Sequence, residues 1–272
     1  MKVSNNLKPG DRTINLFGVK FYNFTFEETL KEITGIIDKK VKTIAFTPNV
    51  DHIVKILRNN EIKKLYEAAD LILNDSRVLY IASRFLRKSL RGKISGSDIL
   101  PVLCKISSTK GYKIFFLGGR DNAAYQAAEH FRLIYKAVNI TGVISPEFGF
   151  ENKEVENDKI INTINLEKPD ILFVGLGMPK QEKWLIENKD RLDAIFMIGV
   201  GASFEFASGM IRRSPKWVQF LALEWFYRLM KEPRRLWKRY LTSNTLFFLF
   251  FIREFFRSFL KNLLKHKISS KV

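Results

Sequence analysis

Tyr112-Lys113-Ile114-Phe115-Phe116-Leu117-Gly118-Gly119 is the stretch on which the fold turns. A near-continuous apolar run has no polar face to show to water, so such a strand is buried on both sides, as in a parallel sheet covered by helices. Two glycines then end it. Outward from this run, residues 43–47, 71–73, 138–143, 171–174 and 194–198 read as further strands. Helical stretches alternate with them at residues 51–69, 77–86, 97–107, 121–137, 158–167 and 179–189, and that alternation predicts an α/β fold with a parallel sheet. The polar residues 151–158 read as a surface loop. Beyond Ser214-Pro215 no strand pattern returns, so the boundary falls near Gly209, with an α/β domain over residues 1–209 and a helical appendage over 210–272.

The appendage carries fifteen Lys and Arg against three Glu, which is +12 of the chain's +18. Segments such as Arg234-Arg235-Leu236-Trp237-Lys238-Arg239-Tyr240 and Phe247-Phe248-Leu249-Phe250-Phe251 set cations beside apolar rings, a composition suited to an anionic bilayer face. Its longest apolar run, residues 246–252, is far short of the roughly 20 residues needed to span the hydrocarbon core. It is expected to lie on the membrane. Phe255, Phe256, Phe259, Leu260, Leu263 and Leu264 recur at helical spacing, with Arg257, Lys261 and Lys265 on another face. An ordinary core-facing helix is the plainer reading of that pattern. Nucleic acid is a rival partner for basic and aromatic residues, but the dense Phe and Leu stripe has no use on a phosphate backbone, and no nucleic acid is expected.

A chain of 272 residues can bury a substantial core. The single cysteine, Cys104, excludes intrachain disulfides and any multi-cysteine zinc site. His52, His130 and His266 are scattered and read as structural or surface residues. The N-terminus has no apolar run of the secretory kind, so the expected location is the cytoplasmic face of a membrane, with peripheral attachment.

Ligands of open parallel sheets collect at the C-terminal ends of the strands. Here those ends read Thr47-Pro48-Asn49, Asn74-Asp75-Ser76-Arg77, Gly118-Gly119-Arg120-Asp121, Gly175-Leu176-Gly177-Met178-Pro179-Lys180-Gln181 and Gly199-Val200-Gly201-Ala202-Ser203. Small and polar residues at helix starts favour a phosphate, which points to a nucleotide or nucleotide-sugar. The dinucleotide fingerprint fails, because its third glycine is Lys180 in one loop and Phe204 in the other, and no Gly-Lys-Ser/Thr phosphate loop exists. No Asp-x-Asp pair stands ready to hold a divalent ion on a diphosphate, so Arg, Lys and helix N-termini are left to neutralise one.

Thr47-Pro48-Asn49, Asp75, Lys93-Ile94-Ser95-Gly96-Ser97-Asp98, Gly175-Leu176-Gly177-Met178-Pro179-Lys180-Gln181-Glu182-Lys183-Trp184, Ile198-Gly199-Val200-Gly201 and Leu223-Glu224-Trp225-Phe226-Tyr227-Arg228-Leu229 with Lys231-Glu232-Pro233-Arg234-Arg235 together resemble the WecG/TagA/CpsF glycosyltransferases. The resemblance runs over residues 13–241. It implies a Rossmann-like parallel sheet with flanking helices plus a basic helical, membrane-associating appendage. It further implies an inverting, metal-independent, cofactor-free transfer of a sugar from a UDP donor to an undecaprenyl-diphosphate-linked acceptor. The expected donor sugar is N-acetylmannosamine or a related hexosamine or uronic acid, and the expected setting is teichoic acid, common antigen or capsule synthesis. A glucosyl or galactosyl transferase and a non-catalytic lipid-surface protein are the alternatives, and a homo-oligomer is left open.

Sugar transfer needs a base for the acceptor hydroxyl, and a carboxylate at a strand's end is well placed for it. Asp75 is that candidate; the plainer reading is a cap on the helix beginning near Ser76. The resemblance assigns substrate binding to Thr47, Asn49, Lys93, Gln181, Arg228, Arg235 and Lys238. Lys93 stands where relatives often carry Arg, which keeps the charge and loses the bidentate fork. Ser76 replaces a glycine of several relatives, and Lys238 a third arginine of some. From residues 214–241 cations are expected at the leaving UDP or the lipid diphosphate, and from the Phe-rich end the membrane contact, so that deleting residues 243–272 would weaken liposome binding and spare turnover of a soluble acceptor.

Overall fold

In a computed structural model describing residues 12–269, with side chains to residue 258, the chain opens with an antiparallel hairpin, β1 (Thr13–Leu16) and β2 (Val19–Tyr22), followed by helix α1 (Phe26–Asp38). Thr25 caps α1, accepting from the Glu28 amide while the Glu28 side chain accepts from the Thr25 amide. The two strands are too short to announce themselves in the sequence, whereas α1, also passed over there, carries the Thr25-x-x-Glu28 start signature.

The α/β alternation then follows: β3 (Thr43–Phe46), α2 (Val50–Arg58), α3 (Asn60–Glu67), β4 (Leu71–Ile72), α4 (Arg77–Phe85), α5 (Gly96–Lys110), β5 (Ile114–Gly118), α6 (Ala123–Ile134), β6 (Ile140–Ile144), α7 (Glu154–Glu167), β7 (Ile171–Gly175), α8 (Lys180–Glu187) and β8 (Phe196–Gly199). The expected helix over residues 51–69 is two helices, because Asn59 leaves the helical conformation and its side chain accepts the first amides of α3. The expected loop over residues 151–158 is instead a short 3-10 turn, Phe150–Asn152, and the first turn of α7. Glu154 and Glu156 there suit the positive end of the helix dipole.

Six strands form one parallel sheet in the order β4-β3-β8-β7-β5-β6. Its central strands divide their side chains between two cores. On β5, Phe115 and Leu117 join the cluster on one face and Ile114 and Phe116 the cluster on the other. On β7, Leu172 and Val174 oppose Ile171 and Phe173 in the same way. This period-2 division over a run without a polar face is what makes the 112–119 stretch decisive. The chain leaves β3 toward one edge and β5 toward the other, with β7 and β8 inserted between, so a crevice opens above the C-terminal ends of the central strands.

The remaining elements are helices α9 (Ser203–Ala207), α10 (Lys216–Phe220), α11 (Glu224–Lys231) and α12 (Pro233–Ser269). Among the described residues no helix is long and apolar enough to cross a membrane. α12 is continuous through residue 241 and packs on α2. Phe247 is buried against the Phe17 ring, with centroids 5.3 Å apart, and Leu246, Phe250 and Phe251 lie on the same core. The Phe-rich end is therefore two-sided, since Phe248, Leu249 and Phe256 are exposed. The side chains of Phe259, Leu260, Lys261, Leu263, Leu264 and Lys265, the rest of the expected amphipathic stripe, lie outside the described residues.

Candidate functional site

A cleft of about 720 Å³ lies where the crevice was expected, and every one of the five strand-end loops reaches its wall. Thr47 and Asn49 come from the end of β3, Asp75 from β4, Gly118 and Gly119 from β5, Gly175 to Gln181 from β7 and Val200 to Ser203 from β8. Arg228 of α11 and Arg235 and Arg239 of α12 line it as well. A second cavity of about 150 Å³ adjoins it between α2, α4, α11 and α12. Asp75, Asn49, Arg228 and Arg239 line both.

Local chemistry explains how Asp75 comes to face this junction. Ser76, not Asp75, caps α4, its hydroxyl accepting from the Leu79 amide 3.2 Å away. The Asn74 carbonyl accepts from the Ile94 amide at 2.6 Å and its side chain donates to the Gly92 carbonyl at 2.9 Å, which seats the segment carrying Lys93 beside the aspartate. Lys93 is ion-paired to Glu224 of α11. Burial pushes the Asp75 carboxyl up to about 7, with Glu224 and Asp98 adding to the rise and Lys93 and Arg213 opposing it. A carboxyl poised there is partly ionised at neutral pH and still basic. Removing the Glu224 charge takes away one upward push and releases Lys93, so Glu224→Gln should move the acid limb of the kcat/KM profile to lower pH by up to about one unit; a limb that stays in place would break this coupling.

Thr47 is buried and donates to the Gly199 carbonyl at 3.3 Å. The Asn49 side-chain oxygen caps α2, accepting from the Asp51 and His52 amides. Gln181 is only 3 % exposed, so it is no solvated first-turn residue. Its Oε1 accepts from the Gly201 amide at 3.1 Å and its Nε2 donates to Glu182 Oε1 at 3.0 Å. Behind it, the Tyr66 hydroxyl donates to Glu182 at 3.1 Å, and His52 Nδ1 lies 2.9 Å from that hydroxyl. Burial pushes the Glu182 carboxyl up and holds the His52 imidazole down at about 3, hence neutral. The Tyr66 proton being spent on Glu182, His52 Nδ1 donates and its Nε2 is the acceptor. A Cβ on Gly199 would stand 2.8 Å from Gln181 Nε2. Because Gln181 is buried and hydrogen-bonded through both atoms of its amide, Gly199→Ala should displace it at a cost in Tm and raise KM several-fold; an unchanged KM would separate Gln181 from substrate binding.

The cations are more numerous than the sequence suggested. Arg120, from the end of β5, lies 3.7 Å from both Glu205 and Glu232. Arg235 pairs with Glu232 at 2.6 Å, and the Arg228 guanidinium lies over the Phe206 ring at 5.5 Å. Arg239 meets Asp51 at 2.8 Å. The Nε atoms of Arg228 and Arg239 are buried without a hydrogen-bond partner among the described residues, so each retains a donor to offer. Lys238 is not brought to the cleft: it is exposed, with its ammonium 5.5 Å from the Trp237 ring. Arg239 enters instead, because Leu236, Ser243 and Phe247, the buried positions of α12, set a helical phase that includes 239 and turns 238 away.

Sequence reasoning passed over Arg239, Arg120, Glu224 and the His52-Tyr66-Glu182 chain. Arg120 had a signal, since it follows the Gly118-Gly119 strand end. The others depend on pairings across 116 to 192 positions of chain, such as Tyr66 with Glu182 and Ser243 with Asp51, which no local pattern encodes.

Residues 14–260 match the family described as glycosyl transferase WecG/TagA/CpsF. An N-acetylglucosaminyldiphosphoundecaprenol N-acetyl-beta-D-mannosaminyltransferase of Staphylococcus aureus (strain MW2) is 28% identical over 228 residues, covering 83% of this chain and 86% of the relative. The protein of the same name from Bacillus subtilis (strain 168) is 28% identical over 207 residues, covering 76% of this chain and 78% of the relative.

Proposed function

The chain belongs to the WecG/TagA/CpsF family and is a glycosyltransferase, and on that premise we propose that it moves N-acetylmannosamine, or a related hexosamine or uronic acid, from a UDP donor to a sugar carried on polyprenyl diphosphate, with inversion, in the synthesis of a cell-surface polymer such as teichoic acid. The observation that carries this reading is Asp75 at the shared wall of two cavities. The larger suits a nucleotide-sugar lying over the strand ends. The smaller, lined by Arg77, Lys93 and Trp225 among others, suits the head of the acceptor. Arg77 there is stacked on the Tyr80 and Phe220 rings at 4.6 and 5.1 Å.

In the transfer, the acceptor hydroxyl attacks the anomeric carbon from the Asp75 side and its proton passes to the Asp75 carboxylate. The new glycosidic C–O bond forms as the anomeric C–O bond to the diphosphate breaks, and UDP leaves with the electron pair. Arg228, Arg235 and Arg239, with Arg120 meeting Arg235 at Glu232, supply the positive charge that the developing diphosphate requires. With the diphosphate charge met by these arginines, turnover is expected to persist in EDTA. Peripheral attachment through α12 at the cytoplasmic face completes the reading, since the acceptor is a membrane lipid.

The test is a donor screen with a short-chain lipid-linked N-acetylglucosamine acceptor, following UDP release. Turnover with UDP-N-acetylmannosamine in EDTA supports the reading. Turnover with UDP-glucose or UDP-galactose alone would replace the donor, and no turnover with any UDP-sugar would overturn it.

A further inference from the structure

A third cavity, of about 550 Å³, shares no lining residue with the cleft. It lies between the β1–β2 turn, the α2–α3 corner and α12. Four cations line it: Arg58 and Lys63 from the corner, Arg253 and Arg257 from α12. Its one carboxylate, Glu254, is paired with Lys88, 3.4 Å away. Arg58, Arg253 and Arg257 make no ion pair among the described residues, while Lys63 meets only Glu67 at 3.4 Å. Like charges gathered round an open space repel one another, and an anion placed between them relieves that repulsion. Asn15 and Asn59 add neutral polar groups to the wall.

The position on α12 says which anion. Arg253 and Arg257 are four residues apart and share one helical stripe. Leu249 and Phe256, at four before and three after Arg253, stand next to it and are exposed at 55% and 58%, with Phe248 beyond at 60%. A helix whose exposed apolar side is bordered by arginines lies in the plane of a membrane interface, rings toward the acyl chains and guanidinium groups at the level of the phosphates.

We propose that this cavity is a headgroup site, in which Arg58, Arg253 and Arg257 hold the phosphate of an anionic bilayer phospholipid while Phe248, Leu249 and Phe256 enter the lipid beside it. The guanidinium forks match the paired oxygens of a phosphodiester. The site is distinct from the catalytic cleft and does not depend on which sugar is transferred.

The full chain is tested by co-sedimentation with vesicles of phosphatidylcholine alone and of an equimolar mixture with phosphatidylglycerol. The wild type should prefer the mixed vesicles, and Arg253→Ala with Arg257→Ala should lower affinity for them by about tenfold or more. Turnover of a soluble acceptor should be unchanged in that variant, which also reports that it is folded. The control is Lys105→Ala with Lys136→Ala, which removes the same charge from exposed positions of the segment packed on the other face of the sheet; it should lose far less. Equal losses in the two double variants would show diffuse charge attraction and overturn the site, as would equal binding of the wild type to both vesicle types. Titration with dihexanoyl phosphatidylglycerol below its micelle concentration should perturb Asn59 and Arg58 in the wild type and not in the arginine variant. Perturbation that persists without the arginines would also overturn it.

Discussion

Asp75→Asn is expected to lower kcat by about 10²–10⁴-fold, the usual worth of a positioned base, while leaving donor affinity near the wild-type value. The substitution keeps the shape of the side chain and removes its charge, and with it the ability to accept a proton. Ser76 caps α4 in either case, so the helix start is not disturbed. The wild-type pH profile should show the same group. Only ionised Asp75 takes a proton, and its carboxyl is raised from 3.8 to about 7, so kcat/KM should rise with pH and level off above about 7. The linkage to stability runs the other way. Between 3.8 and about 7 the folded protein holds a proton that the unfolded chain has released, so stability from this group is full at low pH and is lost as pH rises toward 7. The Asn variant escapes that loss. It should therefore be more stable than wild type at about pH 8 and no more stable at about pH 4. A variant with wild-type turnover would remove Asp75 from the chemistry, and equal Tm differences at both pH values would remove the raised carboxyl.

The sheet was legible because its strands are buried on both faces, and such runs have no polar side to turn toward water. Residues 114–117 could only be a central strand. The hairpin of β1 and β2 was not legible, because two four-residue strands of mixed burial carry too little pattern, and the reversal at Phe17 and Gly18 has no Asn-Gly or Asp-Gly signal. Residues 151–158 misled through their polarity, which here belongs to the exposed first turn of a helix. In the site, Asp75, Thr47 and Asn49 were visible from their place at strand ends, which the α/β fold turns into a cleft. Glu224 was visible only as part of a motif. Its pairing with Lys93 depends on how α11 is packed against the sheet domain, and 131 positions separate the two in sequence. The one misplaced cation, Lys238, shows the limit from another side: composition located the basic segment, but only the helical phase set by Leu236, Ser243 and Phe247 decides which of two adjacent basic residues reaches the cleft.

That phase reverses the outcome expected for loss of the C-terminal end. Deleting residues 243–272 should lower Tm strongly and reduce turnover of a soluble acceptor as well as of a membrane-bound one. Phe247 is 7% exposed against Phe17, and removal of a buried Phe side chain alone costs about 3–5 kcal/mol. Ser243 donates to Asp51, a carboxylate that burial pushes up and that Arg239, Ser243 and Lys55 hold below the usual range. Ending the chain at residue 242 also puts Arg239 in a last helical turn without hydrogen-bond partners for its carbonyls, where helices fray. Asp51 would then lose Ser243 outright and Arg239 in part, and leaving a buried carboxylate short of partners is itself strongly destabilising. Asp51 lies in the first turn of α2, directly after the Asn49 cap, so the damage reaches the Asn49 wall of the cleft. Phe248→Ala is the matched control. It removes a ring from the same helix that is 60% exposed, and it should leave Tm and soluble turnover unchanged. If the truncated chain keeps wild-type turnover and Tm, α12 beyond residue 242 serves the membrane alone, and the anchoring assigned to Ser243 and Phe247 fails.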